Sequence, residues 1–350
     1  MKTLKNLLKI VPLLACAYAS SAQAVTFNFT YDASMDARAL AGFQAAANQW
    51  SAILHDDVQV NLNIGFSQLA TGVLGSTGST RNAYSYTQFR NAMIKDAWGA
   101  TDKAAVAGLA AGPCLSVYMN GTGVNPAGRG SLTPFVDNNC NANNSTIRMT
   151  SANARALGLT AARDNVSDGA ISFSTSFAWD FDPTDGITAG SFDFIGVAAH
   201  EIGHALGFIS GVDILDLNFT GNFSDAAFTY IAPTDVFRCS PDSKAAGTNL
   251  DFTADKRDKF FSLDNCTTAL SIFSNGRTNG DGQQASHWKD NRGIGILDPT
   301  AARGELLAIS EMDIAMFDAI GWNAVPEPAS IALFAFGAAG LAGARRRKQK

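Results

Sequence analysis

Apolar and polar residues alternate through VTFNFTY at 25–31 and again through VQVNLNIGF at 58–66, the period of a strand with one buried face. Between these stretches the period changes. Ala39, Phe43, Ala46, Ala47 and Trp50 fall near one face at helical spacing, so Asp36 to Leu54 is predicted to be a helix. Residues 67–82 are rich in Gly, Ser and Thr and read as a loop. A second helix is expected over 86–110, stopped by Gly112-Pro113. Residues 120–145 show no period and read as loop. GAISFSTSFAWDF at 169–181 reads mostly as strand, with a turn at Asp182 to Gly186. Asp193 to Leu206 then reads as a helix, residues 211–286 as a loop-rich stretch, and Glu311 to Ala319 as a last helix. No internal repeat or interdomain linker interrupts this order, which predicts one α+β unit over 25–324.

The two ends follow different rules. Residues 1–24 begin with Lys2, Lys5 and Lys9, continue as the apolar IVPLLACAYA and finish in Ala22-Gln23-Ala24, the layout of a signal peptide cut by signal peptidase. Residues 325–350 join Pro326-Glu327-Pro328 to 16 uncharged residues, Ala329 to Ala344, and then to Arg345, Arg346 and Arg347. Such a run is marginal for a span, where about 17–25 residues are usual, and the arginines would stay on the cytoplasmic side. This tail resembles the PEP-CTERM sorting signals of Gram-negative bacteria. The resemblance implies transient membrane anchoring, removal by an exosortase-type enzyme, and a surface or extracellular destination.

Charge narrows the partners. The body from 25 to 324 carries 18 basic and 30 acidic residues, a net charge of −12 against −5 for the whole chain. An acidic body of this kind is a poor candidate for binding nucleic acids or anionic membrane surfaces. Cysteine usage fits export. Cys114, Cys140, Cys239 and Cys266 remain after the signal, without any CxxC pair that would favour a cysteine metal site. Four cysteines allow three connectivities, of which neighbour pairing closes two loops of similar size. Each loop would contribute about 3 kcal/mol in the chain-entropy account.

The chemistry concentrates in HEIGHALGFISG at 200–211. His200 and His204 stand one helical turn apart on one face, so both can present a nitrogen to one metal ion, and Zn²⁺ is the ion this pattern favours. Glu201 lies about 100° round the helix, placed to act as general base on a water beside that ion. Gly207 permits the left-handed turn that ends the helix. A third protein ligand is needed. A histidine six residues after His204 would complete the short motif, but Ser210 stands there; no glutamate follows Glu201 before Glu305. Asp251, in the GTNLD string at 247–251, is one candidate. Of the two remaining histidines, His55 ends a helix and reads as structural, whereas His287 stands in QASHWKDNRGIGILDPT. Asp180, Asp182 and Asp185 invite a calcium reading, but their spacing misses an EF-hand loop and reads better as a solvated turn.

HEIGHALGF, a long insert, a later SHW histidine, a turn ending in Asp298-Pro299 and a last helix closing in Ile320-Gly321-Trp322 resemble metzincin-type zinc proteases, in particular bacterial members that carry a PEP-CTERM tail. In leishmanolysin-like proteases the third histidine is likewise delayed by an insert. The resemblance implies a zincin-like catalytic domain with an active-site helix and a mixed sheet, His287 as third ligand, and a protein or peptide substrate. By analogy with zincins it also implies pairing of an extended substrate along the strand Ile171 to Phe177. Leu297 stands where such proteases carry the methionine of a turn beneath the metal; its similar volume leaves the floor of a site intact. The expected activity is a secreted zinc endopeptidase. The alternative is a surface or matrix binding protein that keeps the fold with little turnover.

Overall fold

The computed structural model describes residues 24–324, so the signal-peptide segment, apart from Ala24, and the apolar and basic tail lie outside the described residues. In chain order the elements begin with strand β1 (Thr26–Thr30), helix α1 (Ala37–Ile53) and strands β2 (Gln59–Ser67), β3 (Gly75–Ser79) and β4 (Arg81–Ser85). Helices α2 (Tyr86–Asp96) and α3 (Ala100–Gly108), strands β5 (Val117–Met119) and β6 (Phe135–Asp137), helix α4 (Ala142–Ser145), strand β7 (Thr146–Thr150) and helix α5 (Ser151–Ala156) follow. Next come β8 (Gly169–Ser174), β9 (Trp179–Asp180), β10 (Phe192–Asp193) and helix α6 (Phe194–Leu206). The remainder holds α7 (Val212–Leu215), β11 (Arg238–Cys239), α8 (Pro241–Ala245), β12 (Asp251–Phe252), β13 (Lys259–Phe261), β14 (Ser271–Phe273) and α9 (Glu311–Ala319). The architecture is α+β.

The principal sheet runs β1-β2-β8-β3, with β1, β2 and β8 parallel and β3 antiparallel at the edge. Val60, Leu62 and Ile64 of β2 are buried, the one-sided burial that alternation announces. Phe173 of β8 meets Phe43 of α1 and Phe194 of α6 at ring-centroid distances of 5.1 and 4.5 Å, so one aromatic cluster ties the sheet to both helices. Trp50, fully buried, donates its indole N–H to the Ala199 carbonyl at 2.9 Å and fixes α1 against α6. Trp322 does the same from the other end of the chain, donating to the Leu206 carbonyl at 2.9 Å. Both caps of the early and middle helices are those the sequence offers: Asp36 accepts from the Arg38 amide and Asp193 from the Gly196 amide.

Five expectations change. The segment 67–82 is not all loop, because β3 pairs with β8 and β4 starts a ribbon with β7. GSTGS has little strand propensity of its own, and its small side chains are what let the edge lie against α6. The single helix over 86–110 is two, since the Asp102 carboxylate accepts from the Gly99 amide at 2.9 Å and starts a new helix there. The strand over 169–181 ends at Ser174 and resumes as β9, paired with β10. Finally, β8 lies between β2 and β3, so the strand beginning at Ile171 is interior and the free edge belongs to β3. The stretch from 120 to 145 likewise carries β6 and α4, whereas 211–286 is loop-rich with short strands.

Cysteines pair by sequence neighbourhood, Cys114 with Cys140 and Cys239 with Cys266. The second bridge lies within the long insert between α6 and His287, and β12 of that insert adds to β5, which joins it to the body. Among the described residues no helix is long and apolar enough to cross a membrane.

Where the described chain ends, four carboxylates gather. Asp56 accepts from the Asn323 backbone and side-chain amides at 2.9 and 2.8 Å, Asp318 accepts from the Ala324 amide, and Asp96 and Asp102 stand close by. Among the described residues none of the four forms an ion pair with lysine or arginine. Burial, then the charges of Asp56 and Asp102, push Asp96 up to about 7, and burial with Asp102 pushes Asp318 up to about 6. A carboxyl raised in the folded state favours folding while protonated, and that contribution is lost as pH rises from about 4 toward 7. Asp96→Asn should therefore melt higher than the unaltered protein at pH 8, with the difference shrinking toward pH 5. Melting curves that keep the same separation at both pH values would contradict this account.

Candidate metal centre

Helix α6 carries His200 and His204 toward a cleft of about 860 Å³, and the insert returns to place His287 opposite them. The Nε2 atoms of His200 and His204 lie 3.1 Å apart, those of His204 and His287 3.1 Å, and those of His287 and His200 3.3 Å. Each Nδ1 faces a backbone carbonyl: Ile296 at 2.7 Å for His200, Phe208 at 2.7 Å for His204 and Gln284 at 3.3 Å for His287. A carbonyl only accepts, so each ring holds its proton on Nδ1 and turns a bare Nε2 lone pair inward. Burial, and the repulsion a second cation beside His200 would meet, bring His204 down to about 3, and burial with the same repulsion from His204 and His200 takes His287 well below its usual value. Three lone pairs so close, with no proton among them, repel one another unless a cation stands between. Their spacing fits it, since Zn–N bonds of about 2.0–2.1 Å in a tetrahedron separate ligands by about 3.3 Å. Among the described residues this is the cluster of histidine, cysteine and acidic side chains able to hold a metal.

Glu201 points to the same cleft from a buried position. The Thr77 hydroxyl of β3 lies 2.6 Å from its Oε2 and 2.9 Å from its backbone carbonyl. Burial pushes the Glu201 pKa up, while His200 and the Thr77 hydrogen bond oppose that rise. The carboxylate reaches this place only because residue 75 is glycine: a Cβ on Gly75 would stand 2.6 Å from Oε1. At the end of α6, Gly207 adopts φ 131°, so the chain turns and the Phe208 carbonyl swings back to His204.

The other sequence candidates lie elsewhere. Ser210 is buried and donates to Asp235 at 2.6 Å. Asp251 is engaged by Ser240 and by the Thr253 amide within the insert, away from the imidazoles. His55 donates its amide to the Asn323 carbonyl at the domain's end. Asp180 and Asp182 accept from the amides two residues on, Asp182 and Thr184, the Asx hydrogen bonds of a turn, and Asp180 also accepts from the Thr188 amide, which closes the loop. Leu297 is fully buried beneath the helix, where a Cβ on Gly203 would meet its methyl group at 3.2 Å.

Sequence reasoning missed the carboxylates that hold this geometry. Asp313 of α9 accepts from the amide of Ile296 at 2.8 Å and from the Trp288 indole at 2.8 Å, fixing both the turn whose carbonyl orients His200 and the residue after His287. Ser310 and Asp313 form the capping box that starts α9, a pattern a sequence can carry, but the reach of Asp313 to residues 288 and 296 leaves no such signal. Asp213 of α7 accepts from the amides of Ala285 at 2.6 Å and Ser286 at 3.3 Å, and so positions the strap that carries His287. Asp235 accepts from Gly211 and Ala232 amides, both at 2.8 Å, and braces the turn after α6.

Residues 324–348 match the PEP-CTERM protein-sorting motif. The chain carries a sorting signal. Such a signal implies export to the surface or beyond in a Gram-negative bacterium and processing by an exosortase-type enzyme. No curated protein and no solved structure matches the chain.

If Asp313 sets the imidazole geometry, Asp313→Asn should weaken binding of a divalent metal such as Zn²⁺ by about 10–100-fold, the usual effect of losing an outer partner. Competition against a chromophoric chelator measures it, and unchanged affinity in a folded variant would remove Asp313 from this role.

Proposed function

We propose that the chain is an exported zinc-dependent endopeptidase of metzincin type. The observation that carries this reading is the convergence of three Nδ1-protonated imidazoles beside a buried glutamate in an open cleft. His200, His204 and His287 would hold the ion, beside the cleft that they line. When bound, zinc supplies Lewis acidity, which brings the pKa of a coordinated water toward about 7 and polarises a carbonyl.

The protein's own residues supply the rest. Glu201 takes the proton of the attacking water and returns it to the departing amine, and its raised pKa suits both halves of that transfer. Thr77 keeps the carboxylate from swinging away, and the missing side chain at Gly75 leaves room for it. The free edge of β3 runs along the cleft, so an extended peptide can add to it as a further antiparallel strand. Val197, Phe192, Ile296 and Leu307 line the end of the cleft nearer the start of α6 and offer an apolar seat for a substrate side chain.

Glu201→Ala should retain zinc at about one ion per chain and lose at least 100-fold in peptide hydrolysis. Digestion of casein with and without a chelator, alongside metal analysis, tests both halves. Zinc bound but no hydrolysis by the unaltered protein would favour a binding protein that keeps the site. Gly75→Ala should also lower kcat while leaving zinc content unchanged, because the new methyl group displaces the Glu201 carboxylate and no ligand. Full activity in that variant would show that the close approach is not needed.

A further inference from the structure

Two arginines at one end of the cleft have no acidic partner among the described residues. Arg277 and Arg81 both line the cleft and are exposed, and neither forms an ion pair there. In a body with 30 acidic residues against 18 basic ones, what marks these two guanidinium groups is their place, both lining the cleft of the candidate active site. The nearby acids are already engaged. Asp216 accepts from the amides of Thr278 at 2.7 Å and Asn279 at 2.8 Å, and Asp213 from those of Ala285 and Ser286. Asp281 pairs with Lys289 at 3.0 Å and accepts from the Asn275 amide at 3.0 Å.

The loop that presents Arg277 is built to hold still. Gly276 has φ 125°, and a Cβ there would stand 3.0 Å from the Asp216 carboxylate. The Gly276 amide donates to the Gln283 carbonyl and the Gly282 amide to the Gly276 carbonyl, closing the loop on itself. Asp216 follows α7, directly after the turn that ends α6, so this loop is anchored at the His204 end of the cleft. Arg81 is at that end too, because β3 runs from Gly75, beside Glu201, to Ser79, whose hydroxyl donates to the His204 carbonyl at 3.1 Å. A peptide paired antiparallel to β3 enters from the Ser79 end, so its residues before the scissile bond run along the end of the cleft that these arginines line.

We propose that Arg277, with Arg81, selects substrates bearing an acidic side chain on the amino-terminal side of the scissile bond. The proposal rests on the peptidase reading above and adds the substrate class. A guanidinium on a braced loop meets a carboxylate with little loss of side-chain freedom, and the planar fork favours a paired hydrogen bond.

The test uses the zinc-loaded protein and internally quenched peptides with Glu, Gln or Lys one, two or three residues before the bond that is cut. Glu should exceed Lys by about tenfold in kcat/KM at one position or more, mainly through KM, and the margin should shrink in high salt. Arg277→Glu should reverse the order. The same peptides, bound to Glu201→Ala and to a double variant that adds Arg277→Glu and followed by fluorescence anisotropy, separate recognition from chemistry. Cleavage with an unaltered Glu-over-Lys order in Arg277→Glu overturns the proposal and leaves the peptidase reading standing. Binding that prefers Glu and depends on Arg277, without cleavage by the unaltered protein, supports the recognition and overturns the peptidase reading. Neither cleavage nor charge-dependent binding overturns both.

Discussion

Three bare imidazole nitrogens held 3.1–3.3 Å apart are an arrangement that the rings alone would not adopt, and much of the surrounding structure maintains it. Electrostatically they repel; nothing in the rings themselves draws them together. What fixes them is the other nitrogen of each ring, donating to a carbonyl whose own position is set by backbone geometry. Phe208 offers its carbonyl because Gly207 turns left-handed, and Ile296 offers its own because Asp313 grips the amides of that turn. A cation between the rings would turn that repulsion into attraction, and on the proposed reading its binding would stabilise the fold.

Buried aspartates do the positioning that a regular element would do elsewhere. The stretch between α6 and His287 contains little secondary structure, yet its path is defined. Asp213, Asp216, Asp235 and Asp313 each gather two or more N–H groups from distant segments, which satisfies buried amides and fixes the loops in place. Hydrogen bonds to a charged acceptor are worth about 1.5–3 kcal/mol each, more than neutral ones, and their loss leaves several donors stranded at once. The Cys239–Cys266 bridge acts on the same stretch through the unfolded chain, by shortening its free path. A long loop-rich insert can thus deliver one histidine to a helix 83 residues behind it in sequence.

The edge strand unites support and chemistry. β3 is built from glycine, serine and threonine, which makes it a poor strand by composition and a good neighbour for a helix. Thr77 and Ser79 hydrogen-bond to the Glu201 and His204 carbonyls, and Gly75 yields its volume to the Glu201 carboxylate. The same backbone leaves its outer edge free along the cleft. An edge of this kind is a liability for aggregation unless something manages it; here the strand is five residues long, too short to offer much of a template.

The amino-acid sequence by itself determined the elements whose pattern is local. Helix α6 with Asp193 before it and Gly207 after it, helix α1 with its Ala and Phe face, and the alternating β1 and β2 all follow from period and caps, because the residues that decide them are neighbours in the chain. Two imidazoles of the triad and a glutamate were legible for the same reason: one turn of helix brings them together. Tertiary structure alone decided the rest. GSTGS became the edge strand because β8 needed a partner and α6 needed small side chains beside it, neither of which is written in those five residues. The break between α2 and α3 depended on one carboxylate reaching back to an amide, against an apolar period that ran on. His287 was nameable by elimination and resemblance, but its approach to His200 and His204 depends on carboxylates at 213 and 313, whose partners are far off in sequence. Contacts of that range leave no period in the chain, since each is a single meeting of two distant residues rather than a repeated one.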